Sequence, residues 1–328
     1  MPPIFRRTAL LLPPSIKPRN FHFALPVKSR PHNTFFKMAS TDTLTSNTLF
    51  KLQDRVALVT GGGSGIGLMA AQALAANGAK VYITGRTKEK LDTAKSQHFG
   101  HDNDNVIAIQ ADVSSKESIQ SLVKEIESRE KCLCILVNNA GIAADHHQTA
   151  EAKSASELRD SLFQQSEFDN WTGVYRTNVA AVYFTTAAFL PLLQASSERH
   201  PGWSGTVINI TSISGLVKTS QHHFSYNASK AAANHVTRML AAEIGAAGLK
   251  IRVNGIAPGV FPSEMTAGES DEAQKSQLPK EKYEGKIPAA RPGKDEDMAS
   301  TVLFMAANQY VNGHIVVVDG GYTLSAGM

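Results

Sequence analysis

Ser212, Tyr226 and Lys230 are the residues whose types and spacing could do chemistry. A free tyrosine titrates near about 10, too high for an efficient proton shuttle at neutral pH. In Ser225-Tyr-Asn-Ala-Ser-Lys230 the lysine lies one helical turn beyond the tyrosine, on the same face, where its ammonium favours the phenolate. Ser212, fourteen residues upstream of Tyr226, can hydrogen-bond the substrate oxygen that Tyr226 protonates. Tyr-x-x-x-Lys alone is common on exposed helices, so its weight rests on the elements around it.

Those elements alternate. Apolar runs at Arg55–Thr60, Lys80–Thr84, Val106–Ala111, Leu133–Val137, Gly205–Thr211, Leu249–Asn254 and His314–Asp319 read as seven short buried strands. Helix-forming stretches separate them, notably from Trp171 through Leu192 and from Tyr226 to Gly245. The pattern predicts an α/β fold, a doubly wound and mainly parallel seven-stranded sheet in a single domain over residues 51–328. The first strand runs into Gly61-Gly-Gly-Ser64-Gly65-Ile66-Gly67 and then an alanine-rich helix. Strand, glycine turn and helix N-terminus make an anion site suited to a dinucleotide pyrophosphate.

The spacing Thr60-Gly61-x-x-x-Gly65-x-Gly67, the tetrapeptide Asn138-Asn139-Ala140-Gly141 and the ordered Ser212…Tyr226-x-x-x-Lys230 together resemble the short-chain dehydrogenases/reductases, from about residue 51 to 324. The resemblance implies a Rossmann-type fold and an oxidoreductase of carbonyl or alcohol groups. It makes Asn178, Ser212, Tyr226 and Lys230 the catalytic set, with Asn178 interrupting its helix to complete a proton relay to Lys230. It assigns cofactor contacts to Thr60, Gly61, Ser64, Gly65, Ile66, Gly67, Asp112, Val113, Asn139, Ala140, Gly141, Tyr226, Lys230, Pro258, Gly259, Val260 and Thr266. At the end of the second strand a carboxylate would select NAD. Gly85 has none, and Arg86 can meet a 2′-phosphate, so the pattern implies NADP(H). Relatives that use it often carry a second basic residue in the glycine turn, where this chain has Ser64. The run Ile256-Ala-Pro-Gly-Val-Phe-Pro-Ser-Glu-Met-Thr266 is similar to the rhamnolipid-type 3-oxoacyl reductases. The expected reaction is reduction of a ketone, with a 3-oxoacyl thioester, a polyketide or secondary-metabolite carbonyl and a small diketone all compatible. An NAD-linked alcohol dehydrogenase and a non-catalytic NADP(H)-sensing scaffold are the alternatives. Relatives pair the Asn178 and Tyr226 helices across subunits, which implies a homodimer or homotetramer.

Composition limits the remaining classes. The net charge of +4 arises in residues 1–41, which hold seven basic and no acidic groups and leave the rest at −3. That is no footprint for nucleic acid. No run of eighteen uncharged apolar residues occurs, so no spanning helix is expected. Residues 1–50 form a proline-rich extension read as disordered or targeting. Two readings compete: a mitochondrial transit peptide in residues 1–37, or a start at Met38 and a cytoplasmic enzyme. Cys132 and Cys134 fall on one face of a buried segment and read as core thiols, with no metal expected. His146-His147 and His222-His223 read as solvated loop residues. The polar stretch 145–170 reads as an added helix or flap, and 266–286 as a substrate lid.

Overall fold

The computed structural model describes residues 40–100, 103–143, 146–147, 149 and 151–328. The proline-rich stretch up to residue 39 therefore lies outside the described residues, as do both targeting readings. The short turns Thr41–Leu44 and Ser46–Leu49 bury nothing. The buried fold begins at Leu52.

The chain first forms β1 (Val56–Thr60), α1 (Gly65–Ala76), β2 (Lys80–Gly85), α2 (Lys88–Phe99), β3 (Val106–Gln110), α3 (Lys116–Arg129) and β4 (Ile135–Asn138). It continues through α4 (Phe168–Tyr175), a π turn (Arg176–Ala180), α5 (Ala181–Arg199), β5 (Gly205–Ile210), α6 (Phe224–Ala246), β6 (Ile251–Pro258), α7 (Asp295–Ala307) and β7 (Ile315–Val318). The sheet order is β3-β2-β1-β4-β5-β6-β7, with every pair parallel. Parallel strands are covered on both faces, which is why their sequences read as continuous apolar runs. Along β1, Ala57 and Val59 face a core with Leu68 and Leu74 of α1, Leu91 of α2 and Val302 of α7. Leu58 faces the opposite core, with Ile126 of α3, Phe189 and Leu193 of α5 and Leu240 of α6. Each such fully buried large side chain contributes about 1.5–3 kcal/mol.

The order reverses between β1 and β4. Open α/β sheets bind ligands outside the carboxyl ends of their strands at such a switch point, and here those ends carry the glycine turn and Asn139–Gly141. Most strand boundaries shift by one residue, with larger shifts at β6 and β4. β6 runs on to Pro258, because Pro258 pairs with Val318 of β7. β4 starts at Ile135 rather than Leu133. The helical run 168–199 is long and apolar enough to cross a membrane. Its apolar side instead packs Phe189, Leu192 and Leu193 on the sheet.

Candidate active site

The glycine turn is shaped by close approach. Gly65 has φ +51, and a β-carbon there would sit 2.9 Å from Ser263 Cβ. At Gly67 a β-carbon would lie 2.1 Å from the Gly61 carbonyl oxygen. Thr60 and Asn139 lock this turn to the β4 exit. Thr60 Oγ1 accepts from the backbone N–H of Asn139 (3.0 Å) and Ala140 (3.1 Å). Asn139 Nδ2 donates to the Thr60 and Gly61 carbonyls, both at 3.0 Å. The result is a groove of about 460 Å3 with the N-terminus of α1 in its wall. A cradle that any side chain would fill, facing a helix N-terminus, fits a dinucleotide pyrophosphate.

At one end of the groove the catalytic candidates converge. Ser212 leaves β5 and caps a 3₁₀ turn, its Oγ accepting from Ser214 N–H at 3.1 Å. Its hydroxyl also hydrogen-bonds that of Tyr226, so capping and facing the tyrosine coexist. Lys230 is buried, donates to the Ile210 carbonyl at 3.1 Å, and lies 5.7 Å from the Tyr226 ring centre. Asn178 sits in the π turn, a register break common at functional sites. Its side chain clamps both backbone groups of Ile142 (2.9 and 3.1 Å) and donates to Ser229 Oγ at 3.1 Å. A β-carbon on Gly141 would meet Asn178 Oδ1 at 3.2 Å and Lys230 Nζ at 3.7 Å, so the two side chains meet over that glycine.

The electrostatics differ from the expectation that Lys230 lowers the tyrosine's pKa. Burial pushes the Tyr226 phenol up, and the Ser212 hydrogen bond recovers only part of that. Lys230 is itself desolvated and pushed down to about 8. Its ammonium is therefore half-populated at about 8 and lost as the pH rises further. If that charge holds ribose hydroxyls, NADPH affinity should fall as pH rises past about 8, by up to about tenfold per unit. Fluorescence titration from pH 6 to 9.5 checks this, and a flat profile excludes the role.

At the far end, Gly85, Arg86, Asp112 and Val113 line the groove. Burial alone would raise the Asp112 carboxyl, but Oδ1 accepts from Ser114 N–H (2.9 Å) and Ser114 Oγ (2.7 Å). Arg86 and Arg176 add positive potential, and the carboxyl ends below its ordinary value. Arg176 is a basic group at this end that the glycine-turn motif did not reveal. The sequence also missed Ser114, Thr177 and Ser263–Met265, all in the groove wall. An Asp-x-Ser turn was the available signal for Ser114; Thr177 borders Asn178 and Ser263–Met265 fall inside the run Ile256–Thr266, and folding brings both segments to the groove.

Six expected cofactor residues are not in the surface of the groove. Pro258 and Gly259 are drawn into pairing with β7, with Gly259 N–H donating to the Val318 carbonyl at 2.9 Å. Val260 lines a separate small cavity of about 110 Å3. Thr266 caps a helical turn, its Oγ1 bonding the Phe261 carbonyl (2.6 Å) and Ser263 N–H (3.0 Å). Thr60 and Gly67 act beneath the turn rather than in its surface. Ser64, Gly65, Ile66 and Asn139–Gly141 line it.

The loops around the mouth differ from their sequence reading. In the loop between Ser212 and Tyr226, Gln221 and His222 both have positive φ. Gln221 then bridges Ser214 Oγ (2.7 Å) and Tyr322 OH (3.0 Å). The histidines are not simply solvated. His147 is buried and exchanges bonds with His222, whose carbonyl accepts from His147 N–H at 2.8 Å. His146 stacks on His222 at 4.8 Å between ring centres. Backbone pairing between the two loops brings these rings together. In the 145–170 stretch, Ala155–Arg159 is helical and continues into a second π turn. The 266–286 stretch lies against the cofactor-side helices, where Lys275 Nζ donates to Gln72 Oε1 at 2.8 Å. Just before it, Glu264 pairs with Lys90 at 2.6 Å.

The comparisons agree with this arrangement. Residues 55–274 match the family model described as short chain dehydrogenase. The short-chain dehydrogenase/reductase PhomF of Diaporthe leptostromiformis is 39% identical over 285 residues, covering 86% of this chain and 95% of that protein. The rhamnolipids biosynthesis 3-oxoacyl-[acyl-carrier-protein] reductase of Pseudomonas aeruginosa is 36% identical over 280 residues, covering 84% and 98%. Among solved structures, the Pseudomonas aeruginosa RhlG/NADP active-site complex superimposes with a TM-score of 0.67 at 35% identity, over 84% of this chain and 98% of that one. A gluconate 5-dehydrogenase from Burkholderia cenocepacia J2315, in complex with NADP and tartrate, gives 0.68 at 29% identity, over 85% and 99%. The similarity thus runs across most of the length of these proteins, and the chain belongs to the short-chain dehydrogenase/reductase family as an NAD(P)-dependent oxidoreductase of carbonyl or alcohol groups.

Proposed function

We propose that the chain is an NADP(H)-dependent reductase that converts a ketone, of the 3-oxoacyl or polyketide/secondary-metabolite kind, to a secondary alcohol. One observation carries the reading. Ser212, Tyr226 and Lys230 converge at one end of a groove whose other end sets Arg86 beside Gly85. When bound, the nicotinamide supplies the hydride. The Tyr226 hydroxyl gives its proton to the carbonyl oxygen, and Ser212 orients that oxygen. The buried Lys230 ammonium holds ribose hydroxyls and stabilises the phenolate left behind, and Asn178 keeps the Ile142 backbone and the relay in place. Support comes from the 3-oxoacyl reductase among the relatives and from the NADP named in both solved complexes.

Arg86→Ala tests the cofactor half. NADPH should bind the wild type much more tightly than NADH, and the substitution should erase the difference. Loss of one charge-assisted contact of about 1.5–3 kcal/mol corresponds to roughly 10- to 150-fold. Equal binding of both cofactors, unchanged in the variant, would move the NAD-linked dehydrogenase ahead.

We further propose a homodimer or homotetramer that pairs through α5, which follows Asn178, and α6, which carries Tyr226. Tyr183 and Phe184 are exposed on α5, with Phe184 under Lys116 at 5.9 Å, above a cleft also lined by Val123 and Ala187. Light scattering should give a multiple of the chain mass for the wild type and a smaller assembly for Tyr183→Glu/Phe184→Glu. A monomeric wild type refutes it.

A further inference from the structure

At the amino edge of the sheet, away from the groove, three donors meet that the family motifs leave unused. The backbone of Cys134 is fixed between two strands: its N–H donates to the Val56 carbonyl (2.8 Å) and its carbonyl accepts from Thr206 N–H (2.9 Å). Extended backbone sends alternate side chains to one side, so Cys132 and Cys134 share one core while Leu133 enters the other. His200, just past the end of α5, turns back onto this pair. Its Nε2 lies 3.8 Å from Cys132 Sγ, and the donor atoms of all three residues fall within 4.8 Å of one another. Among the described residues, this is the one His/Cys/Asp/Glu group close enough to hold a cation.

We propose that Cys132, Cys134 and His200 form a binding site for one thiophilic d¹⁰ cation, Cu(I) or Zn(II). Metal–sulfur bonds of about 2.3 Å and metal–nitrogen bonds of about 2.0–2.1 Å put donors roughly 3.5–4 Å apart around one ion. The 3.8 Å Cys132–His200 separation already meets that requirement. Small side-chain rotations bring in the rest. Two thiolates and an imidazole are a soft donor set that selects such ions over magnesium or calcium. Three protein donors complete a trigonal Cu(I) site; Zn(II) takes a solvent oxygen as its fourth ligand through the half-exposed His200 side.

The surroundings suit the charge. Arg55 Nη1 lies 3.0 Å from His200 Nδ1, and the Arg55 guanidinium stacks 4.8 Å from the Trp203 ring centre. A dithiolate with Cu(I) carries net −1, which Arg55 offsets. Arg55 Nε and Trp203 Nε1 are buried with no hydrogen-bond partner among the described residues, and orphaned donors of this kind call for an explanation. An anionic metal–thiolate centre beside them supplies one. Binding releases the thiol protons to solvent. It also transfers the imidazole proton from Nε2 to Nδ1, freeing Arg55 to turn toward the sulfurs.

Anaerobic titration of the reduced full-length chain tests this. Cu(I) is competed against a chromophoric chelator, Zn(II) likewise, and Co(II) serves as spectroscopic stand-in. One equivalent per chain is expected to resist the competitor, and Co(II) should develop a thiolate-to-metal charge-transfer band. Cys132→Ala should remove the band and lower affinity at least 100-fold while leaving NADPH binding unchanged, which also reports that the variant is folded. The Cu(I) and Zn(II) arms identify the ion. Failure to retain either cation overturns the proposal. So does binding that survives Cys132→Ala but is lost in His222→Ala, which would place the ion in the loop histidines.

Discussion

Tyr226→Phe is expected to abolish ketone reduction while leaving NADPH binding nearly intact. The substitution keeps the ring that packs beside Lys230 and removes only the hydroxyl that meets Ser212. A positioned proton donor contributes about 10²- to 10⁴-fold to rate, and no neighbouring hydroxyl replaces it in kind. Ser212 has an ordinary alcohol's acidity and already accepts from Ser214 N–H. Loss of one neutral hydrogen bond costs only about 0.5–1.5 kcal/mol, so the fold should persist. Steady-state rates on a panel of 3-oxoacyl and aromatic ketones give the first quantity, and NADPH fluorescence gives the second. Residual turnover within about tenfold of wild type would remove Tyr226 from the proton-donating role. Binding of NADPH without turnover of any ketone by the wild type would instead favour the sensing scaffold.

Gly67→Ala should be the most damaging single methyl in the chain. Propensity alone argues the other way, since alanine in place of helical glycine is favourable by about 0.8–1.0 kcal/mol. The added carbon would sit 2.1 Å from the Gly61 carbonyl oxygen and 2.4 Å from Asn139 Nδ2. Neither is free to yield: that carbonyl accepts from Asn139, which ties the turn to the β4 exit. Overpacking of this kind costs about 1–3 kcal/mol or more, so the close approach wins over propensity. The glycine turn must lift off the helix, and the pyrophosphate cradle goes with it. The expected result is a lowered Tm together with at least a tenfold loss of NADPH affinity. An unchanged Tm and affinity would mean that the turn relaxes without cost and that its tight geometry is incidental.

How much of this was legible beforehand depends on whether the information is local. The strands were readable because a parallel sheet buried on both faces demands unbroken apolar runs, as in Ala57-Leu58-Val59. The glycine turn and Tyr226-x-x-x-Lys230 were readable because their geometry is fixed by spacing along one turn and one helix. The sequence by itself therefore determined the fold class and the family, and named the serine, tyrosine and lysine that the structure brings together.

Only the tertiary structure decided matters that depend on elements distant along the chain. Desolvation is one. The residues that bury Tyr226 and Lys230 come from several elements, so the net upward push on the phenol and the depressed lysine could not be read from the Tyr–Lys spacing. Strand pairing is another: β7 draws Pro258 and Gly259 into the sheet, a preference invisible in the run Ile256–Thr266. Contacts between loops are the third. His147 and His222 meet across 75 residues through one backbone bond and one from the His222 ring to the His147 carbonyl, and His200 reaches Cys132 from 68 residues away. A residue type shows what chemistry it can do, but burial and long-range partners set its charge and its neighbours, and those exist only once the chain has closed on itself.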